Sequence, residues 1–234
     1  LTSIGAIQFI VRLSQEFEVT VNIRDLTEYS TVEELGGYLS KASKSAPREI
    51  REKSPLTQTQ IGIYVECMMN PESVFYNLPG SFAFSRDRED ACRTIDAEKL
   101  CRGIQKVADV HPAMQCSIRT DENGDTFMYP KDDREVEIER YSGTEEEYEA
   151  FFQNFAKPFD LEKGPLYRFA IFETETHLYL TIDFHHIISD GTSIAVFAQE
   201  LNRVMGEEEP LGEGYTQYDL AVDEERARQQ EGYD

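Results

Sequence analysis

The first apolar run, SIGAIQFIVRLSQEF over residues 3–17, places Ile4, Ile7, Ile10, Val11 and Phe17 near one face at helical spacing, and so predicts an amphipathic helix that opens on Ser3. A second, short helix is predicted from Thr31, because TVEE forms a capping box with Thr31 as N-cap and Glu34 at N3, and Val32, Leu35 and Leu39 make an apolar stripe. Residues 40–54, SKASKSAPREIREKS, are small, charged and poor in apolar side chains, the composition of a linker. The pattern therefore divides the chain into a helical unit over residues 1–43, a linker over 44–54 and a larger unit over 55–234.

The larger unit alternates between two periods. PLTQTQIGIYVECMM predicts a helix from about residue 57, and the β-branched and aromatic VFYNLPGSFAFS predicts a strand. Residues 96–110 have helical spacing up to Pro112, and MQCSIRT and TFMYP flank the turn-forming DENGD as a hairpin. A further helix is predicted over 144–156, then PLYRFAIF and THLYLTIDFHH as the strands of a second hairpin, then the apolar-striped helix SIAVFAQELNRVM. Strands in hairpins interleaved with helices specify a layered α/β or α+β sandwich and exclude a helix bundle.

Composition narrows the class. The 234 residues are 40% hydrophobic and 11% aromatic, ample for a buried core, and the formal net charge of −22 repels nucleic acid and anionic membrane. No run of eighteen apolar residues and no basic-then-apolar leader is visible, which favours the cytosol. Cys67, Cys92, Cys101 and Cys116 are widely spaced without a CxxC pair, and are read as reduced, mostly buried thiols, with no metal site.

The chain has only four histidines, and two of them stand side by side in TIDFHHIISDGTS. Neighbours on a strand point to opposite faces, so one of His185 and His186 is directed to the core and the other to a cleft. Asp190-Gly191 is a turn signal before a helix beginning near Thr192 or Ser193, so the strand ends at the histidines. A histidine at such a strand end suits proton transfer or hydrogen bonding to a developing charge. Asp190 is a candidate to brace the loop by an ion pair, with Arg168 or Arg119 as its partner.

HHIISDG resembles the HHxxxDG signature shared by condensation domains of nonribosomal peptide synthetases, chloramphenicol acetyltransferase and dihydrolipoyl acyltransferases. Three neighbouring segments are similar to condensation domains in particular. PLTQTQIGIY resembles that family's first motif through Gln60 and Tyr64, FYNLP its Tyr-Asn-x-Pro strand, and PFDLEKGPLYRFAIF the segment ahead of the histidines through Phe159, Asp160, Leu161, Gly164, Pro165, Leu166 and Arg168. The likeness departs from the pattern around His111, where Val110, Pro112, Gln115 and Cys116 differ, and at Gln217, where an acidic residue is common. It implies a chloramphenicol-acetyltransferase-like α/β sandwich lobe, the N-terminal half of a condensation domain, preceded by a partial helical carrier domain.

Upstream, SIGAIQFIVRLSQEF resembles the second helix of a peptidyl carrier protein, beginning at the serine that bears 4′-phosphopantetheine. Ser3 is then the attachment site, where free backbone N–H groups and the helix dipole favour the phosphodiester; Thr2 stands where aspartate is usual. A serine there also serves as a simple helix cap. The resemblance implies amide formation between a donor acyl or peptidyl thioester and the amine of an acceptor aminoacyl thioester. His186 is implied as the catalytic residue, removing a proton or holding the amine, with His185 and Asp190 maintaining the loop and Gly191 giving backbone room or an N–H toward the oxyanion. The implied partners are upstream and downstream carrier and adenylation domains and a phosphopantetheinyl transferase. Since the family's cleft lies between two lobes, one lobe alone is expected to condense little. Two alternatives remain open at this point: an epimerisation domain with the same signature, and a non-catalytic module that recruits a partner protein through the same fold.

Overall fold

The computed structural model describes residues 9, 13, 17, 21, 23–41, 52–86, 95–131, 133–212 and 216–231. The helix predicted over 3–17, with Ser3, lies outside the described residues except for Phe9, Leu13 and Phe17, each of which is helical. Two short helices follow, α1 (Ile23–Glu28) and α2 (Val32–Lys41). The predicted capping box is present: Thr31 Oγ1 accepts from the Glu34 N–H at 3.2 Å, and Glu34 Oε2 accepts from the Thr31 N–H at 3.1 Å. Leu35 and Leu39 bury with Val21 in a small core, but Val32 is 90% exposed. The predicted stripe is thus one residue too long, because the first turn of α2 projects past the little apolar surface available to cover it.

The remaining elements build two sheets. A three-stranded antiparallel sheet has the order β1 (Ser54–Pro55), β4 (Thr126–Pro130), β3 (Cys116–Thr120), so the expected DENGD hairpin is formed. A four-stranded sheet has the order β2 (Asn77–Ser85), β7 (His177–His185), β6 (Tyr167–Glu173), β5 (Ile138–Ser142). Its pairs are antiparallel except β5 with β6, and the register sets Asn77 opposite His185 and Arg168 opposite Asp183. The helices are α3 (Gln58–Met69), α4 (Ala97–Val110), α5 (Glu145–Gln153), α6 (Gly191–Met205) and α7 (Gln217–Glu231). Mixed strands and helices in this order form the expected α/β sandwich; α1, β5 and α7 were not foreseen, nor was β1, whose Ser54 falls in the predicted linker.

The core explains how the site is placed. Leu180, Ile182 and Phe184 leave one face of β7 and bury with Ile104 of α4 and Phe197 and Leu201 of α6. These two helices approach so closely that a Cβ at Gly103 would lie 3.1 Å from Leu201 Cδ1. Alternate residues of β7 point the other way, where Tyr179 stacks on Tyr148 of α5 with ring centroids 3.6 Å apart. Asp183 and His185 share that second face, at the end of the strand nearest α3. Among the described residues no helix is long and apolar enough to cross a membrane. Of the cysteines, Cys116 is buried, with its thiol pushed up to about 12 by desolvation, Cys67 and Cys101 are half-buried and free, and Cys92 lies outside the described residues.

Candidate active site

The paired histidines diverge as strand geometry requires. His185 is only 4% exposed, whereas His186 is exposed to solvent. The His185 backbone N–H donates to Leu166 O at 2.9 Å and that of His186 to Tyr76 O at 2.8 Å, which anchors the strand end to both neighbouring segments. The Tyr76 ring meets the His186 ring edge-on with centroids 6.5 Å apart.

The ring of His185 has defined partners. Its Nδ1 accepts from the Ile187 N–H at 3.1 Å, so that nitrogen carries no proton and the neutral ring is protonated on Nε2, 3.6 Å from Cys67 Sγ on α3. Burial, with a smaller contribution from His186, holds its pKa down to about 4. A neutral, buried imidazole that accepts a backbone N–H is a brace for the turn that presents His186.

Asp190 ends that turn by capping α6. Its Oδ1 accepts from the Ser193 N–H and hydroxyl, each at 2.8 Å, and Ser193 Oγ accepts in return from the Asp190 N–H at 3.1 Å. Helix α6 therefore begins at Gly191, one or two residues earlier than the predicted start near Thr192 or Ser193. A Cβ at Gly191 would meet nothing within 4 Å, so this position keeps the backbone open on the exposed side.

The expected ion pair of Asp190 with an arginine is not formed among the described residues. Arg168 faces Asp183 across the β6–β7 register, and its Nη1 donates to Asp183 Oδ2 at 2.7 Å. Arg119 sits in the other sheet with its guanidinium 4.4 Å from the centre of the Tyr129 ring. Register thus sets Arg168 opposite Asp183, while Arg119, opposite Phe127, packs on Tyr129 two residues along the neighbouring strand.

Asp183 was missed in the sequence, and Asn77, though it lies in the FYNLP motif, was not read as its partner. The Asp183 carboxylate is fully buried, accepts from Asn77 Nδ2 at 2.7 Å as well as from Arg168, and is pushed up by desolvation while these donors pull it back. Asn77 and Arg168 also both donate to Lys157 O, at 2.9 and 3.0 Å. The Arg168 guanidinium in turn lies 4.2 Å over Phe159, whose ring meets His185 edge-to-face at 5.7 Å. The signal for Asp183 was a lone acid inside the apolar run YLTIDF, which a buried strand tolerates only when it is paired.

Comparison with known proteins matches this architecture. Residues 50–234 match the family described as Condensation domain, and residues 1–39 match Phosphopantetheine attachment site. The chain belongs to the condensation domain family, with a phosphopantetheine attachment region before it, and its cofactor is 4′-phosphopantetheine. It is 28% identical over 92% of its length to surfactin synthase subunit 1 of Bacillus subtilis (strain 168), and 29% identical over 88% to gramicidin S synthase 2 of Brevibacillus brevis. It spans 6% and 5% of those two chains. Among solved structures, the first condensation domain of the CDA synthetase superposes with a TM-score of 0.62 at 17% identity, over 76% of this chain and 44% of that one. The X-domain from teicoplanin biosynthesis gives 0.66 at 19%, over 80% and 42%.

Proposed function

We propose that this chain takes part in peptide-bond formation in a nonribosomal peptide synthetase. The amine nitrogen of an acceptor aminoacyl thioester attacks the carbonyl of a donor acyl or peptidyl thioester; the C–N bond forms, the C–S bond breaks, and the donor thiol leaves as the amine gives up a proton. His186 takes that proton or holds the amine while charge develops, and the Gly191 N–H faces the oxyanion. The observation that carries the reading is the exposed imidazole of His186 beside a neutral, buried His185 whose Nδ1 binds the following N–H. Asp190 serves the reaction by fixing where α6 starts.

In this reading residues 1–43 are the C-terminal part of a carrier, 44–54 a linker and 55–234 the N-terminal lobe of the condensation domain. A phosphopantetheinyl transferase loads Ser3, and adenylation domains of the same synthetase charge the carriers. The 4′-phosphopantetheine arm supplies the thioester and a flexible reach, which raises the local concentration of the acyl group at the cleft. The 234-residue chain by itself condenses little. The chain spans 42–44% of the solved domains above, which supports a need for further sequence to complete the cleft.

The test is to supply the complete synthetase module with separately loaded donor and acceptor carriers and follow the acceptor by intact mass. Condensation adds the mass of the donor acyl group to the acceptor. An unchanged mass with an inverted α-centre assigns epimerisation instead, and neither change assigns a partner-recruiting module.

A further inference from the structure

Helix α3 reaches the histidine turn through one side chain. Gln60 is buried, and all three hydrogen-bonding groups of its amide have partners. Its Oε1 accepts from the Thr57 N–H at 3.0 Å, completing the capping box of α3. Its Nε2 donates to Ile187 O at 2.8 Å and to Gln217 Oε1 at 3.2 Å. The amide cannot be reversed, since that would set its NH2 against the Thr57 N–H and its carbonyl against two acceptors.

Ile187 is thereby held on both sides. Its carbonyl is bound by Gln60 and its N–H by His185 Nδ1, so the two peptide groups flanking it, one of which joins it to His186, have fixed orientations. Ile187 is only 2% exposed, so water has little access to replace a lost donor at its carbonyl.

We propose that Gln60 is a positioning residue for the paired histidines: by fixing Ile187 it selects the Nε2–H tautomer of His185 and the direction in which His186 is presented. The structural part of this proposal stands on the hydrogen bonds alone; its consequence for catalysis rests on the condensation reading. Without the Gln60 donor the buried Ile187 carbonyl loses its partner, and its peptide keeps only the bond from the Ile188 N–H to His185 O at 3.1 Å; as the turn shifts to pair that carbonyl, the Ile187 N–H leaves His185 Nδ1, and that nitrogen becomes available to carry the proton.

The experiment uses the 234-residue chain with ¹⁵N-labelled histidine, in which four imidazoles give a readable spectrum. At neutral pH the wild type shows His185 as a single Nε2–H tautomer. Gln60→Met, close in shape but without hydrogen-bonding groups, gives a mixture of tautomers; Gln60→Asn, which keeps an amide too short to reach Ile187, gives the same result should the Met variant fold poorly. Thr57→Val removes the side-chain cap of α3 while leaving the Gln60 donor in place, and retains the wild-type tautomer. A folded Gln60 variant with an unchanged His185 tautomer overturns the proposal, as does a Thr57→Val spectrum that shifts equally. In the complete module the Gln60 variants lower product formation by roughly 10- to 100-fold. A changed tautomer with undiminished product supports the positioning role and counts instead against catalysis by His186.

Discussion

Arg168 donates from Nη1 to the buried carboxylate of Asp183 at 2.7 Å, on the strand that two residues later delivers His185. Removing the guanidinium leaves that charge without its counterion in a site closed to water. Arg168→Met is expected to destabilise the fold by about 3–5 kcal/mol in urea denaturation. Arg168→Lys recovers only part of this, because a single ammonium cannot reproduce the fork in which Nη1 donates to Asp183 and Lys157 O while Nη2 donates to Pro158 O. A loss below about 1 kcal/mol for Arg168→Met would show that the pair does not support the strand.

Stability should fall with acid in a window set by His185. Its folded pKa of about 4 lies below the ordinary 6.5, so between those values the unfolded chain binds more protons than the folded one. The contribution is complete above about pH 6.5 and is lost as the pH falls toward 4; for the 2.5 units between them it amounts to on the order of 3 kcal/mol. Unfolding free energies of wild type and His185→Asn measured across this range should converge as the pH drops. Glu145 acts in a separate, lower window: hydrogen bonds from Thr174, Thr176 and Tyr179 hold its carboxyl down to about 2, so its contribution is lost as the pH falls from about 4.5 toward 2.

Asp190 acts as a cap and not as an ion-pair partner, and the two roles separate experimentally. Asp190→Ala should cost about 1 kcal/mol, and Asp190→Ser should recover most of it. In the double variant with Arg119→Ala the two losses should add to within about 0.5 kcal/mol. A larger coupling energy would restore the ion pair to the account.

The elements with strong period, caps or turn chemistry were legible: both hairpins, the capping box at Thr31 and the helices α3, α4 and α6. The divergence of His185 and His186 followed from the two-residue period of a strand. What stayed hidden depended on register and on contacts distant in sequence. Arg168, on the strand before the histidines, was one of two candidate partners for Asp190, with Arg119; only the β6–β7 pairing reveals Asp183 as its partner. Strand β5, IERYS, is short, charged and held at a sheet edge by parallel pairing, so its sequence carries no alternation to find. Helix α7 lacks an apolar stripe, and Val32 showed that a stripe can run past the surface that covers it.

Ser3 offers a prediction independent of the histidines. Incubation of the chain with a phosphopantetheinyl transferase and coenzyme A should add the mass of one phosphopantetheine group, and Ser3→Ala should abolish the gain. A gain that persists in Ser3→Ala places the attachment elsewhere.

The proposed reaction depends on the exposed imidazole of His186, and the most direct measurement is the single-turnover rate of product formation in the complete module with His186→Ala. Because the ring is at the surface, folding stability should change by less than about 0.5 kcal/mol. With both carriers still fully loaded, the rate is predicted to fall by about 10²- to 10⁴-fold. Product formed at the wild-type rate by a folded, fully loaded His186→Ala module would contradict the assignment.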